Sequence, residues 1–285
     1  MERKLILRGA LAGAAAGLIA FVFARIFAEP QIQAAIDYES GRDAAQHALD
    51  EAAGLPVEHA GHDIFSRTLQ ANLGAGAGLV LFGVAMGALF AVAFAICLGR
   101  VGTLGPRNLA MLVALGGFLG VYFVPFLKYP ANPPSIGHED TIHDRGNLYL
   151  AMVACSIVLL IGAVLLGKRL RPRFGNWNAT LLAIAAYVAI IGVLMAVLPS
   201  VGHLAANVEE YGRHATETPL PLTDAKGNIV YPGFDADRLY AFRLYSVGAQ
   251  VLLWGVIGLI FGPLAERLLQ PRKDRTEQAE PVRTA

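Results

Sequence analysis

Charged residues are scarce in this chain: they make up 16 % of its 285 residues, where a soluble globular domain carries about 25 %. Cysteine is scarcer still, with two in the sequence and no C-x-x-C pair, which excludes a disulfide scaffold. No G-x-x-x-x-G-K-[ST] loop occurs, so ATP hydrolysis by that route is excluded. Five long stretches contain no Asp, Glu, Lys or Arg at all. Together these absences make a soluble enzyme a poor match. No permanently bound cofactor and no nucleic-acid partner is expected.

What the chain has in quantity is apolar length. Hydrophobic residues make up 55 % of it and the mean hydropathy is +0.51. Six apolar stretches run Leu5–Phe27, Leu73–Leu98, Leu109–Leu127, Leu148–Gly167, Ala179–Leu198 and Leu244–Leu264. Each is near the ~20 residues a helix needs to cross a ~30 Å hydrocarbon core. A span must satisfy its backbone amides internally, and these stretches lack the period-2 alternation of strands. The expected fold is an all-α polytopic membrane protein with about six transmembrane helices, set in a lipid bilayer. Met1–Lys4 before the first apolar run resembles a secretory signal, but Ala24–Ala28 is a poor cleavage site, so a retained helix is expected. Gly9, Gly13 and Gly17 fall at four-residue spacing, and Gly74, Gly78, Gly83 and Gly87 repeat the theme in the second span. Small residues so placed let helices approach closely.

Orientation follows from the basic residues. With the N-terminus inside, the cytoplasmic pieces hold 14 basic and five acidic residues, and the outward pieces nine basic and seventeen acidic ones. This predicts an N-in, C-in topology. Residues 1–270 then form the helical transmembrane domain, with longer extracytoplasmic segments at 28–72, 128–147 and 199–243. Residues 271–285 read as a polar cytoplasmic tail, expected to be disordered.

All seven histidines fall in the three outward segments. Imidazole and carboxylate together suit divalent metals such as Zn, Co, Ni and Cu. Glu58-His59-Ala60-Gly61-His62-Asp63 sets two imidazoles beside two carboxylates, and the second segment reads Gly137-His138-Glu139-Asp140-Thr141-Ile142-His143. The latter is one residue longer than H-E-x-x-H, and on a regular helix its histidines would lie about 140° apart, which disfavours a metalloprotease. His203 and His214 lie in the third segment. The candidate metal ligands are therefore His138, Glu139, Asp140, His143, His203, His214, His59 and His62. The competing reading is that outward loops are long and polar, and gather histidine for that reason alone. Within the spans chemistry is sparse. Met86, Met111, Met152 and Met195 read as core residues, and Glu29, Arg67, Lys128 and Arg243 as snorkelling anchors at span ends.

Lys128-Tyr129-Pro130-Ala131-Asn132-Pro133-Pro134, with Thr141-Ile142 following and Tyr149 opening the next span, resembles the CbtA family of probable cobalt transporter subunits. Glu29-Pro30, Glu39, Ser66-Arg67, Gly99-Arg100, Leu198-Pro199, Phe242-Arg243 and Trp254 also fit. The resemblance implies a multi-pass protein of the prokaryotic inner membrane that works with a small single-span, His-bearing partner subunit in cobalt uptake. The chain departs from the pattern in residues 200–243, a long insertion that could be a capture site, a docking surface or neither. The reading that results is a membrane subunit of a divalent-metal, cobalt-type uptake transporter, not an enzyme, whose outward His/carboxylate loops capture the ion. The alternative is a non-transport membrane protein: an extracytoplasmic metal sensor, chaperone or assembly scaffold. Pro130, Pro133 and Pro134 cannot continue the third helix, and a rigid elbow is expected there.

The topology has a direct test. In a background lacking Cys97 and Cys155, single cysteines at Ser135 and Asn228 should react with an impermeant thiol reagent in intact cells. One at Arg171 should not, and labelling there would overturn the map.

Overall fold

The computed structural model describes residues 2–56, 66–212 and 218–269. Helix dominates. The elements are α1 (Glu2–Phe27), α2 (Glu29–Ala53), α3 (Arg67–Cys97), α4 (Pro106–Lys128), α5 (Ile142–Val197), α6 (Ala205–Tyr211), the strands β1 (Leu222–Thr223) and β2 (Ile229–Tyr231), and α7 (Ala236–Leu269). Five helices among the described residues are long and apolar enough to cross a membrane, the longest running Glu139–His203. That helix contains the predicted fourth and fifth spans. Its backbone breaks at Gly175, where φ is +74° and ψ is 173°, a conformation open to glycine because it has no Cβ. The break follows the basic run Lys168–Arg173 and Pro172, so the chain reverses at the predicted cytoplasmic turn. Ser156 Oγ meets Tyr187 Oη at 2.9 Å across the two halves.

The bundle is built on a glycine seam between α1 and α3. A Cβ added at Gly9 would strike the carbonyl oxygen of Gly87, one at Gly13 that of Gly83, and one at Gly17 that of Leu79. Lipid tails are as apolar as leucine, so association must come from such close packing and not from a hydrophobic drive. Gly78 differs: nothing lies near its Cβ position. α7 then packs against α1 and α4. Its Phe261 ring sits edge-on to Phe90 at 5.1 Å and Phe94 at 5.0 Å, while Ile257 and Phe261 are fully buried. Trp254 fills the space over Gly117, which admits no side chain there.

Polar ties gather at the two ends of this bundle. At one end Arg8 donates to the Leu264 carbonyl, Arg107 pairs with Glu266 at 2.7 Å, and Lys168 Nζ donates to the Arg100 carbonyl at 2.7 Å. At the other, Arg67 pairs with Glu29, and Arg25 donates to Asn72 at 2.9 Å. Glu29 and Arg67 were expected to be anchors reaching into the interface; the structure pairs them with each other instead. Met152 is fully buried beside Val124, Tyr129 and Ile191, and Met86 and Met195 are partly buried against apolar clusters, but Met111, also expected in the core, is exposed on the helix surface.

The described parts of the three segments predicted to face outward are more ordered than loops. α2 follows α1 almost without interruption, because Ala28 keeps helical φ and ψ. Residues 219–235 carry a two-stranded hairpin, an element that the all-helical reading did not foresee. Asp224 closes its turn by accepting from the amides of Lys226 and Asn228, both at 2.8 Å. The hairpin is clamped to α2: Tyr38 donates to the Pro232 carbonyl at 3.0 Å and Arg42 to the Leu220 carbonyl at 2.7 Å. Ala35, Ile136, Phe234 and Leu239 form a small apolar core shared by all three outward segments. The predicted tail, residues 271–285, lies outside the described residues.

The seam predicts a position-specific sensitivity. Gly13→Ala or Gly87→Ala should cost about 1–3 kcal/mol, because the new methyl meets backbone that cannot yield. Gly78→Ala should be neutral. Thermal unfolding in detergent will separate the two classes.

Candidate functional site

The end of the bundle predicted to face outward is organised by the K-Y-P-x-N-P-P segment. α4 ends at Lys128, ahead of Pro130, whose ring fixes φ and removes the next amide donor. The Tyr129 ring is buried against Val124 and Met152, and its hydroxyl donates to the Pro199 carbonyl at 2.9 Å. Lys128 Nζ lies 5.8 Å from the same ring. Arg243, on the first turns of α7, donates from Nε to the Ala131 carbonyl at 3.2 Å and from Nη2 to Asn132 Oδ1 at 2.8 Å. Pro133 is buried, and its carbonyl accepts from the Ile136 amide at 3.2 Å. The elbow expected from the prolines is therefore present, and side chains on both flanks pin it. Arg243 is a structural tie here and not a snorkelling anchor.

Beyond the elbow the chain passes Ser135, at φ +69°, and Gly137, at φ +135°. Ile136 between them is driven into the outward core. His138 caps a one-turn helix, Glu139–Thr141, its Nδ1 accepting from the Asp140 amide at 3.2 Å. His143 lies in the first turn of α5 and is exposed, as are Glu139 and Asp140. His203 is exposed too, with Nδ1 3.1 Å from Ser200 Oγ. The helix turn at Glu139–Thr141 packs against α6, so the second and third outward segments meet. Among the described residues no three His, Cys, Asp or Glu side chains form a group able to hold a metal ion. His59, His62 and His214 lie outside the described residues.

Two features escaped the sequence reading. One is a convergence of carboxylates from different segments: Glu39 on α2 feels the charges of Asp43, one turn on, and of Glu139 from the second segment. Burial pushes the Glu39 carboxyl above the usual carboxylate range, a hydrogen bond with Ser135 opposes the rise, and the two neighbouring acids add to it. The i, i+4 placement of Glu39 and Asp43 was visible in the sequence, but the approach of Glu139 was not. The other is the pair of π-helical turns, Gln70–Gly74 in α3 and Phe118–Phe123 in α4. Such turns recur at functional sites, and each of these lies beside a cavity at the outer end. The first cavity, about 290 Å³, is lined by Arg25, Glu29, Gln33, Arg67 and Asn72. The second, about 360 Å³, lies under the elbow and includes Tyr122, Lys128, Asn132, Tyr149 and Arg243.

A family model described as a probable cobalt transporter subunit (CbtA) matches residues 2–266. No curated protein and no solved structure matches the chain.

The raised Glu39 carboxyl has a pH signature. A carboxyl with a folded pKa above its unfolded one favours the fold while protonated. Its contribution is full below the ordinary carboxyl pKa and is lost as pH rises through the raised value. Glu39→Gln keeps a partner for Ser135 without the charge. It should raise the melting temperature near neutral pH and converge with the parent in acid. A constant difference at all pH values would show that burial of Glu39 carries no such penalty.

Proposed function

Because the chain belongs to the CbtA family, we propose that it is the membrane subunit of an uptake transporter whose cargo is cobalt. The family match over residues 2–266 is the observation that carries this reading. The finer proposal is a six-span protein with both termini cytoplasmic, the two halves of α5 crossing separately on either side of Gly175. Its setting would be a prokaryotic inner membrane, beside a small single-span, His-bearing partner subunit.

Capture of the ion is assigned to the outward layer: His138, Glu139, Asp140 and His143 in the second segment, His203 and His214 in the third, and His59 and His62 in the first. The contact of the helix turn at Glu139–Thr141 with α6 supports this, since it brings two of those segments side by side. The prolines and the Tyr129 and Arg243 ties give that layer a fixed base. ATP need not supply the energy. A divalent cation entering across a 100 mV potential, negative inside, gains about 4.6 kcal/mol, twice the ~2.3 per elementary charge. The spans carry no acidic side chain of their own between residues 73 and 98, 109 and 127, 148 and 167, 179 and 198, or 244 and 264. A self-sufficient cation path normally has one, which favours a shared path with the partner or, as the alternative, a sensor or scaffold.

Uptake by the reconstituted protein, with and without the partner subunit, separates these readings. Transport should require both chains. His138→Ala with His143→Ala should cut uptake severalfold at limiting cobalt and little at saturating cobalt. His138→Asn with His143→Ala keeps an acceptor for the Asp140 amide, so an equal loss there would assign the effect to the imidazoles. Parent-like uptake by all variants at limiting cobalt would remove the capture role, and cobalt binding without transport in any combination would favour the sensor.

A further inference from the structure

The cavity under the elbow is the wrong environment for a free metal cation. Its lining includes Lys128, Arg145 and Arg243, and no carboxylate among the described residues. Arg243 is half-buried, and its two hydrogen bonds, to the Ala131 carbonyl and the Asn132 amide oxygen, go to neutral acceptors. These bonds fix the plane of the guanidinium without matching its charge. A charge removed from water calls for an opposite charge close by. Among the described residues Arg243 has no acidic partner.

A donor is available in the same place. Tyr122, which also lines the cavity, has a buried hydroxyl with no hydrogen-bond partner among the described residues. Tyr149, its neighbour, is engaged: its hydroxyl donates to the Val121 carbonyl at 3.3 Å. Buried polar groups are nearly always satisfied, so an orphan beside a cavity points to something that fills it. The π-helical turn Phe118–Phe123 carries Tyr122, and so supplies the geometric reason for its position.

We propose that this cavity binds an oxyanion of the phosphate type, held by the Arg243 guanidinium and the Lys128 ammonium, with the Tyr122 hydroxyl as a third donor. A planar guanidinium fork and a mobile ammonium suit tetrahedral oxyanions. The volume of about 360 Å³ is ample for a phosphate, since a water takes roughly 30 Å³ in the liquid. Phe126, Ile142 and Val201 on the same wall give the site an apolar side. Two sources offer this chemistry at the outer end of a span: a phospholipid headgroup and inorganic phosphate. The proposal does not rest on which ion the protein carries.

The test uses the purified full chain in detergent. Thermal unfolding is followed against inorganic phosphate, with chloride at equal ionic strength as control, and native mass spectrometry follows titration with phosphatidylglycerol or with phosphate-free diacylglycerol. At least one phosphate source should bind saturably. Lys128→Gln should weaken that binding about tenfold, the scale of one charge-assisted hydrogen bond. Lys128→Arg should restore it, and Arg238→Gln, outside the cavity, should leave it unchanged. Binding of phosphatidylglycerol alone identifies a headgroup site, and binding of inorganic phosphate a free-anion site. Absence of saturable binding in the parent, or equal binding by parent and Lys128→Gln, overturns the proposal.

Discussion

The close approach of α1 to α3 is the contact on which the bundle depends. In water two helices associate because apolar faces leave the solvent, but in hydrocarbon that drive vanishes and only fit remains. Gly9, Gly13 and Gly17 against Gly83 and Gly87 let the two backbones touch directly. Once they touch, the bulky groups have to lie elsewhere, and they do. Phe90 and Phe94 on α3 receive Phe261 from α7, and Trp254 of α7 closes over Gly117 of α4. The packing therefore radiates outward from small residues to large ones. Many large apolar side chains, such as Leu81, Val158 and Val193, remain on the outer surface, where a bilayer is the solvent they suit.

The outer end obeys a different rule. There water is available, and order comes from hydrogen bonds that join segments distant in sequence. Tyr129 holds the chain at Pro199, Arg243 holds the elbow at Ala131 and Asn132, and Tyr38 and Arg42 hold the hairpin. The K-Y-P-x-N-P-P segment gains a physical explanation from these bonds. Tyr and Asn each fasten a different neighbour, and the prolines between them fix where the chain turns. The described part of the long third segment is not a free loop, since its hairpin is seated on α2.

The long apolar helices of a multi-pass membrane protein and the helix-ending role of Pro130 were legible in the sequence because each depends on local composition. The glycine spacing in α1 was legible for the same reason, although the sequence could not tell Gly83 and Gly87, which meet α1, from Gly78, which meets nothing. What depends on distant pairing was not legible. Nothing in the local pattern around Arg243 or Asn132 marks them as partners, and Glu29 and Arg67 look like any charged residues at span ends. The hairpin was hidden because five strand residues give too short an alternation to register, and α2 because its mixed polar sequence lacks a clean apolar stripe. The π-helical turns leave no compositional trace at all.

Continuity of helical backbone through Ala28 has a mechanical consequence. α1 and α2 together run from Glu2 to Ala53 with only Ala28 between them, which at 1.5 Å per residue is about 78 Å of helix along the chain. Less than half of that length is needed to cross the hydrocarbon. The remainder is mostly α2, tied at its start by Glu29 to Arg67, packed through Ala35 into the small apolar core, and held further along by the hairpin through Tyr38 and Arg42. The hairpin's hold on α2 is thus joined by continuous helical backbone to the glycine seam of α1. At Gly9, Gly13, Gly83 and Gly87 the seam is backbone against backbone, with no side chain that could rearrange. α1 and α3 are held together there, so the hairpin at one end and the glycine contacts further along share one continuous stretch of helix.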